Sequence, residues 1–343
     1  MIEIDKEFLK FCEKLGKDST FVQGAGGNIS IKDGEYLYIK GSGKWISNAT
    51  NENIFAILPL QQSRDKLIET GMEHSFSNDS LNNLRPSIET SFHLLIDSKM
   101  IIHLHETFSL SILVLKEYKS LLKSILPNSF SYAFIDYVKP GSDLAKAINK
   151  ELNGKNKCDI LFLQNHGIII CGERIEEIDN KINLLRTSIK DFLNKNFKSS
   201  KSSPNTSKSQ PPKSIKISSK AYHLISQENP CMICNNDFFM KHLELHWAYS
   251  PDHVVFLGES ASIFNCIEDA KNEINDNHLI FIKNVGIYYS GKNPLGVIDQ
   301  LECFKKVFLN ILEGNHEVNT LEKAEIYSLL NWEQERFRQS ISK

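Results

Sequence analysis

Three histidines and one glutamate carry the chemistry this sequence offers. His103 and His105 stand two apart in Ile102-His103-Leu104-His105. In an extended strand, side chains two residues apart point to one face, roughly 6.6 Å apart along the strand. Two imidazoles placed in this way bind one Zn²⁺ when a third ligand arrives from a neighbouring strand. Three protein ligands leave one position open for substrate or water, as a catalytic zinc ion requires. His166 is the natural third ligand: it follows the apolar run ILFLQ, precedes Gly167, and so sits at a strand end where a turn can approach a site. A lone His-x-His pair is weak evidence, because satisfied or exposed histidines are commoner than ligands. The conjunction with other segments changes that balance.

The segment Arg85-Pro86-Ser87-Ile88-Glu89-Thr90 reads as a loop entering a helix. Glu89 has two readings there. A carboxylate at a helix start is stabilised by free N–H groups and the helix dipole, so it serves as a cap. Alternatively it faces the metal, where burial and a nearby cation tune it for proton transfer. Two Gly-rich turns, Gly24-Ala25-Gly26-Gly27-Asn28-Ile29-Ser30 and Lys40-Gly41-Ser42-Gly43-Lys44, flank a hairpin-like run. Each is either an anion cradle, in which backbone N–H groups converge on an oxyanion, or a tight turn between strands. The first lacks the third glycine of the dinucleotide fingerprint, and the second lacks the remaining residues of a P-loop.

These residues need a framework. YLYIKG (36–41), MIIHLHE (100–106), YAFIDYV (132–138) and DILFLQNHGIIICG (159–172) read as strands, being rich in β-branched and aromatic residues between polar or Gly boundaries. SIETSFHLLIDS, with Ile88, Phe92 and Leu95 on one stripe, FSLSILVLKEYKSLLKSI, and EEIDNKINLLRTSIKDFLNKN read as helices. The result is an α/β layer structure over residues 1–196. Residues 197–220 hold nine Ser, six Lys, three Pro and no acidic residue. That composition cannot offset its ordering entropy, and a flexible linker is expected there. A smaller C-terminal α/β unit is expected over 221–343: a strand at HVVFLG (253–258), a helix at ASIFNCIEDAKNEI, a strand-turn at HLIFIKNVGIYYSG and two final helices.

A formal charge of -2 provides no basic field for nucleic acid or a membrane surface, so the expected partner is a small molecule. No apolar run approaches the roughly 20 residues that span a bilayer. The opening MIEIDKEFLKFCEKLG lacks the features of a signal peptide, and the scattered cysteines form no disulfide framework. A cytoplasmic protein is the expectation. Cys231-x-x-Cys234 followed by His242 and His246 invites a second metal site, but the gap between the pairs is too short for an ordinary zinc finger. Idle or buried thiols and surface helix histidines are the better reading, and His93, one helical turn after Glu89, is read as a packed helix residue in preference to a residue supporting the site.

In their order along the chain, GAGGNIS, IKGSGKW, RPSIETSFH, IIHLHE and LQNHGIIICGE resemble the class II aldolase/adducin family over most of residues 5–195. YVKPGSDLAKAI, SPDHVVFLG, NVGIYYSGK and NWEQERF look like its longer members, including the aldolase portion of rhamnose-utilisation proteins. The resemblance implies a three-layer class II aldolase-type fold with a central mixed or antiparallel sheet. It implies one zinc per chain on His103, His105 and His166, with Glu89 as the proton-transfer group. It also assigns Asn28, Ser42, Gly43 and Ser87 to a substrate phosphate or neighbouring hydroxyls. The implied activity is retro-aldol cleavage of a ketose or ketose phosphate through a metal-stabilised enediolate, in a homo-oligomer. A sugar-phosphate epimerase, a methylthioribulose-phosphate-type dehydratase and a non-catalytic adducin-like protein share the pattern in part. Ile88 stands where small phosphoketose aldolases often have a second Ser, which removes one phosphate donor. A second acid/base residue is not identifiable from the sequence.

Overall fold

The computed structural model describes residues 4–127, 129–153, 158–197, 211–225, 234–273, 277–291, 295–311 and 316–334. Helix α1 (Lys6–Lys17) opens the chain, capped by the Asp5 carboxylate, which accepts from the Glu7 N–H. Its Phe8, Phe11, Cys12 and Leu15 recur at helical spacing and are buried. Strands β1 (Asn28–Asp33), β2 (Tyr36–Lys40) and β3 (Phe55–Pro59) follow, then helices α2 (Leu60–Glu69) and α3 (Thr90–Leu95) and strand β4 (Met100–Leu104). Helices α4 (Thr107–Leu113) and α5 (Tyr118–Ile125) lead to β5 (Tyr132–Ile135), α6 (Ser142–Leu152), the hairpin of β6 (Ile160–Leu163) and β7 (Gly167–Gly172), and the long α7 (Ile175–Asn196).

These seven strands form one sheet in the order β3-β2-β1-β4-β7-β6-β5, antiparallel throughout except for the parallel pair β5–β6. Alternation along the strands sends residues to two cores. Ile102 and Leu104 of β4 join Ile168 and Ile170 of β7 against α1, α4 and α7. Ile101, Ile169 and Cys171 pack on Phe92 of α3 and on Leu144 and Ile148 of α6. The outcome is the expected sheet between two helical layers.

The C-terminal segment contains β8 (Ser214–Ile217), β9 (Lys220–Leu224), α8 (Asp237–His246), α9 (Pro251–Leu257), β10 (Ser262–Phe264), α10 (Ile267–Asn272), β11 (Leu279–Ile282), β12 (Gly286–Tyr289), α11 (Leu295–Ile311) and α12 (Lys323–Leu330). Its strands form a second sheet in the order β10-β11-β12-β9-β8. Leu301, Phe304 and Phe308 of α11 belong to the same buried cluster as Leu110 and Leu113 of α4, so the two segments share a continuous apolar core.

Four local expectations change. HVVFLG is not a strand: it lies in α9, where the Ser250 side chain caps the start, Pro251 occupies the first turn, and Gly258 at φ 97° ends the helix. The stretch ASIFNCIEDAKNEI is only half helical, because Ser262–Phe264 pairs in parallel with β11 before α10 begins. The stretch 108–125 is two helices, not one. The Val114 carbonyl and the Lys116 N–H bond to Asn319 and Glu317, so a distant segment takes hydrogen bonds that a continuous helix would have used. Within the stretch expected to be linker, residues 198–210 lie outside the described residues, whereas Ser214–Ile217 is a strand.

Candidate metal centre

Strand β4 delivers His103 to the sheet face that carries Ile101, directly between Asn28 on β1 and Ile169 on β7. His105 lies just past the strand end. Its carbonyl accepts from the Gln23 side-chain amide at 3.3 Å, which ties it to the loop after α1. His166 sits in the tight turn of the β6–β7 hairpin, after Asn165 in the left-handed conformation (φ 56°). Asparagine tolerates that conformation better than most residues. Gly167 has no alternative, since a Cβ there would come within 2.3 Å of the Leu104 carbonyl oxygen.

The three imidazoles converge. Their ligand atoms lie within 4.8 Å of one another, and no other group of three or more potential ligands forms such a cluster among the described residues. The Nε2 atoms of His103 and His105 are 3.1 Å apart. The ring centroids are separated by 4.7 to 5.3 Å. Two imidazole nitrogens sharing a tetrahedral zinc would be about 3.3 Å apart, so the donor set fits such an ion. Burial lowers the His103 pKa, favouring the neutral ring that a metal requires, and its Nδ1 meets the Ile168 carbonyl at 3.0 Å.

Glu89 stands at the start of α3 but makes no side-chain cap bond. An Oε1 atom lies 3.5 Å from the Nε2 of both His103 and His166, in a side chain that is 9% exposed. The capping reading therefore gives way to the one in which the carboxylate faces the histidines. Local turn bonds belong instead to Ser87: its Oγ accepts from the Glu89 N–H, and its carbonyl accepts from the Thr90 hydroxyl. Glu106, adjacent in sequence to His105, is a true cap, accepting from the Ser109 N–H and hydroxyl at 2.7 and 2.8 Å. His93 is fully buried, stacked on Phe92 and bonded to the Ser30 hydroxyl at 2.7 Å, which is the packed role expected for it.

The two Gly-rich turns lie beside this cluster. The Asn28 amide donates to the Ser87 hydroxyl. The Ser42 N–H donates to the Arg85 carbonyl at 2.8 Å, and Gly41 bridges to Pro86, which sets Ser42 and Gly43 against the same loop. Lys40, 3% exposed, donates to the Ala25 and Lys44 carbonyls at 2.9 Å each and ties the turns together. Nothing local in the sequence assigns Lys40 this role. Lys44 is turned to Glu52 at 2.6 Å. A cavity of about 180 Å³ opens beside Ser87 and Ile88, with Trp332 and Ser142 on its wall.

The C-terminal segment adds a residue that the sequence reading missed. Asp252 places Oδ2 3.2 Å from the Nδ1 of His105. The signal lay in Ser250-Pro251-Asp252, a helix-start pattern, but the β-branched run after it was read as a strand. The second candidate cluster does not assemble in the described residues. Cys231 lies outside them, Cys234 is buried, and the half-buried His242 and His246 pack against Phe308 instead of lying on the surface. No described helix is long and apolar enough to cross a membrane.

The family described as Class II Aldolase and Adducin N-terminal domain matches residues 6–191, more than half of the chain. An L-fuculose phosphate aldolase of Methanocaldococcus jannaschii is 28% identical over 198 residues, covering 54% of this chain and 93% of that protein. YuxG of Bacillus subtilis (strain 168), named an uncharacterized oxidoreductase, is 26% identical over 196 residues. The chain spans only 28% of YuxG's length, and the match covers 52% of this chain. Among solved structures, the N-terminal class II aldolase domain of a conserved protein from Thermoplasma acidophilum is similar at 21% identity and a TM-score of 0.47, covering 56% of this chain and 96% of that one. The chain belongs to the class II aldolase and adducin family.

Proposed function

We propose that this protein is a zinc-dependent lyase that cleaves a ketose or ketose phosphate by a retro-aldol reaction. The observation that carries the reading is the convergence of one ring nitrogen from each of three histidines, with a buried carboxylate 3.5 Å from two of the rings. When bound, the metal would supply a Lewis acid for the substrate carbonyl. His103, His105 and His166 would hold it as neutral ligands. Glu89, poised on the same side, would exchange the proton at the carbon that keeps the electron pair when the carbon–carbon bond breaks. Asn28, Ser42, Gly43 and Ser87 would bind a phosphate or the neighbouring hydroxyls, with the Lys40 ammonium fixing the loops that carry them. The similarity to L-fuculose phosphate aldolases supports a sugar phosphate as substrate. The same reading includes a homo-oligomer in the cytoplasm, in keeping with the absence of disulfides among the described cysteines.

The test is direct. Zinc-loaded protein incubated with a panel of ketoses and ketose phosphates should release two carbon fragments detectable by mass. A single isomerised or dehydrated product would replace the aldolase reading with an epimerase or a dehydratase. Failure to bind zinc would remove the metal centre altogether.

A further inference from the structure

The C-terminal segment reaches His105 and the turn that carries His166. Asp252, in the first turn of α9, reaches the Nδ1 of His105 at 3.2 Å, and both residues are 5% exposed. The first Gly-rich turn closes over this pair: a Cβ on Gly26 would lie 2.7 Å from Asp252 Oδ2 and 3.1 Å from His105 Nδ1. The turn bearing His166 is held in a similar way. The Asn165 side chain donates to the Tyr249 and Asn319 carbonyls at 2.9 and 2.8 Å, and its oxygen accepts from the Asn319 amide at 2.7 Å. Asp252, facing the His105 ring, and Tyr249 and Asn319, bonded to the residue before His166, all lie outside the matched family region.

We propose that Asp252 is a positioning residue of the metal centre, so that the C-terminal segment completes a site whose ligands all lie in the N-terminal one. This rests on the zinc reading above. The Nε2 of His105 faces the Nε2 of His103, so a ring ligating there must carry its proton on Nδ1. A carboxylate at Nδ1 fixes that tautomer and ring angle and makes Nε2 a stronger donor. His103 Nδ1 meets the neutral Ile168 carbonyl, whereas His105 Nδ1 faces a carboxylate.

The experiment uses the full chain. Metal-free wild type, Asp252→Asn and Asp252→Ala are titrated with Zn²⁺ against a competing chelator, and the Co²⁺-loaded forms are compared by their visible d–d spectra. Wild type should bind one zinc. Both variants should bind it about 10 to 100 times more weakly, with altered cobalt spectra. In the wild-type zinc protein, imidazole ¹⁵N NMR should show the His105 Nδ1 protonated and strongly hydrogen-bonded, a result that needs no variant to fold. Zinc affinities within twofold of wild type with unchanged cobalt spectra, or a His105 Nδ1 that carries no bonded proton, would overturn the role of Asp252 and leave the three-histidine site standing. Wild type that binds no zinc would overturn both.

Discussion

The Nε2 atoms of His103 and His105 face each other across 3.1 Å at the end of β4. Two neutral imidazoles at that distance share either one proton or one metal ion, and His166 from the neighbouring hairpin selects between the two by adding a third donor. His103→Ala should therefore lose stoichiometric zinc, as measured by elemental analysis after desalting. Retention of one tightly held ion per chain would mean that the ligands lie elsewhere.

Glu89→Gln tests the carboxylate. The amide is isosteric, and Glu89 is not placed among the ligands, so zinc content should stay at wild-type level. On the proposed role, turnover should fall by several orders of magnitude, since an amide cannot transfer the proton at the reacting carbon. A near-normal kcat on the substrate found by product analysis would take Glu89 out of the mechanism.

Lys40→Met separates anchoring of the two Gly-rich turns from metal binding. Losing the ammonium strands the Ala25 and Lys44 carbonyls, at a cost of about 1–3 kcal/mol of folding stability by urea unfolding. Zinc stoichiometry should not change. KM for a phosphorylated ketose should rise about tenfold, more than for the unphosphorylated sugar. An equal effect on both substrates would argue that the turns do not hold a phosphate.

His253 provides a pH-dependent stability signature. It packs among the rings of Trp247, Tyr249 and Phe304, and among the described residues neither of its nitrogens has a hydrogen-bond partner. Burial lowers its pKa to about 3 from 6.5. The unfolded chain takes up the proton first as pH falls, so the contribution is complete above pH 6.5 and declines progressively toward pH 3. At pH 5 the loss attributable to this residue is about 2 kcal/mol relative to pH 7. His253→Phe should stabilise the protein at pH 7 by about 1 kcal/mol and flatten this part of the acid limb. Urea unfolding of both proteins at pH 7 and pH 5 measures the difference; identical pH dependence would refute the assignment.

Much of the framework was legible from local pattern. Short apolar runs bounded by polar or Gly residues located β2, β4, β5, β6 and β7, because a strand with one face on each core is buried on both sides and so is apolar nearly throughout. The two-residue spacing of His103 and His105 and the glycine after His166 pointed to those histidines, and their conjunction with the other motifs in chain order gave that spacing its weight. Whether Glu89 capped α3 or faced the histidines was open in the sequence. Only the fold could decide, since both outcomes use the same residue at the same helix position and differ only in what packs against it.

The remaining features depend on partners far away in the chain. The helix read across residues 108–125 breaks at Leu115 because Val318 pairs there, more than 200 residues later. Lys40 looks like any strand-end lysine until two loop carbonyls close around it. Asp252 stands just before HVVFLG, which reads as a strand but whose helical state is settled by a cap and by burial against α11. By itself, the sequence determined which residue types could do chemistry and which strands could carry them. The tertiary structure decided which carboxylates reach them, because a 3 Å contact across 147 positions of chain leaves no local periodicity to read.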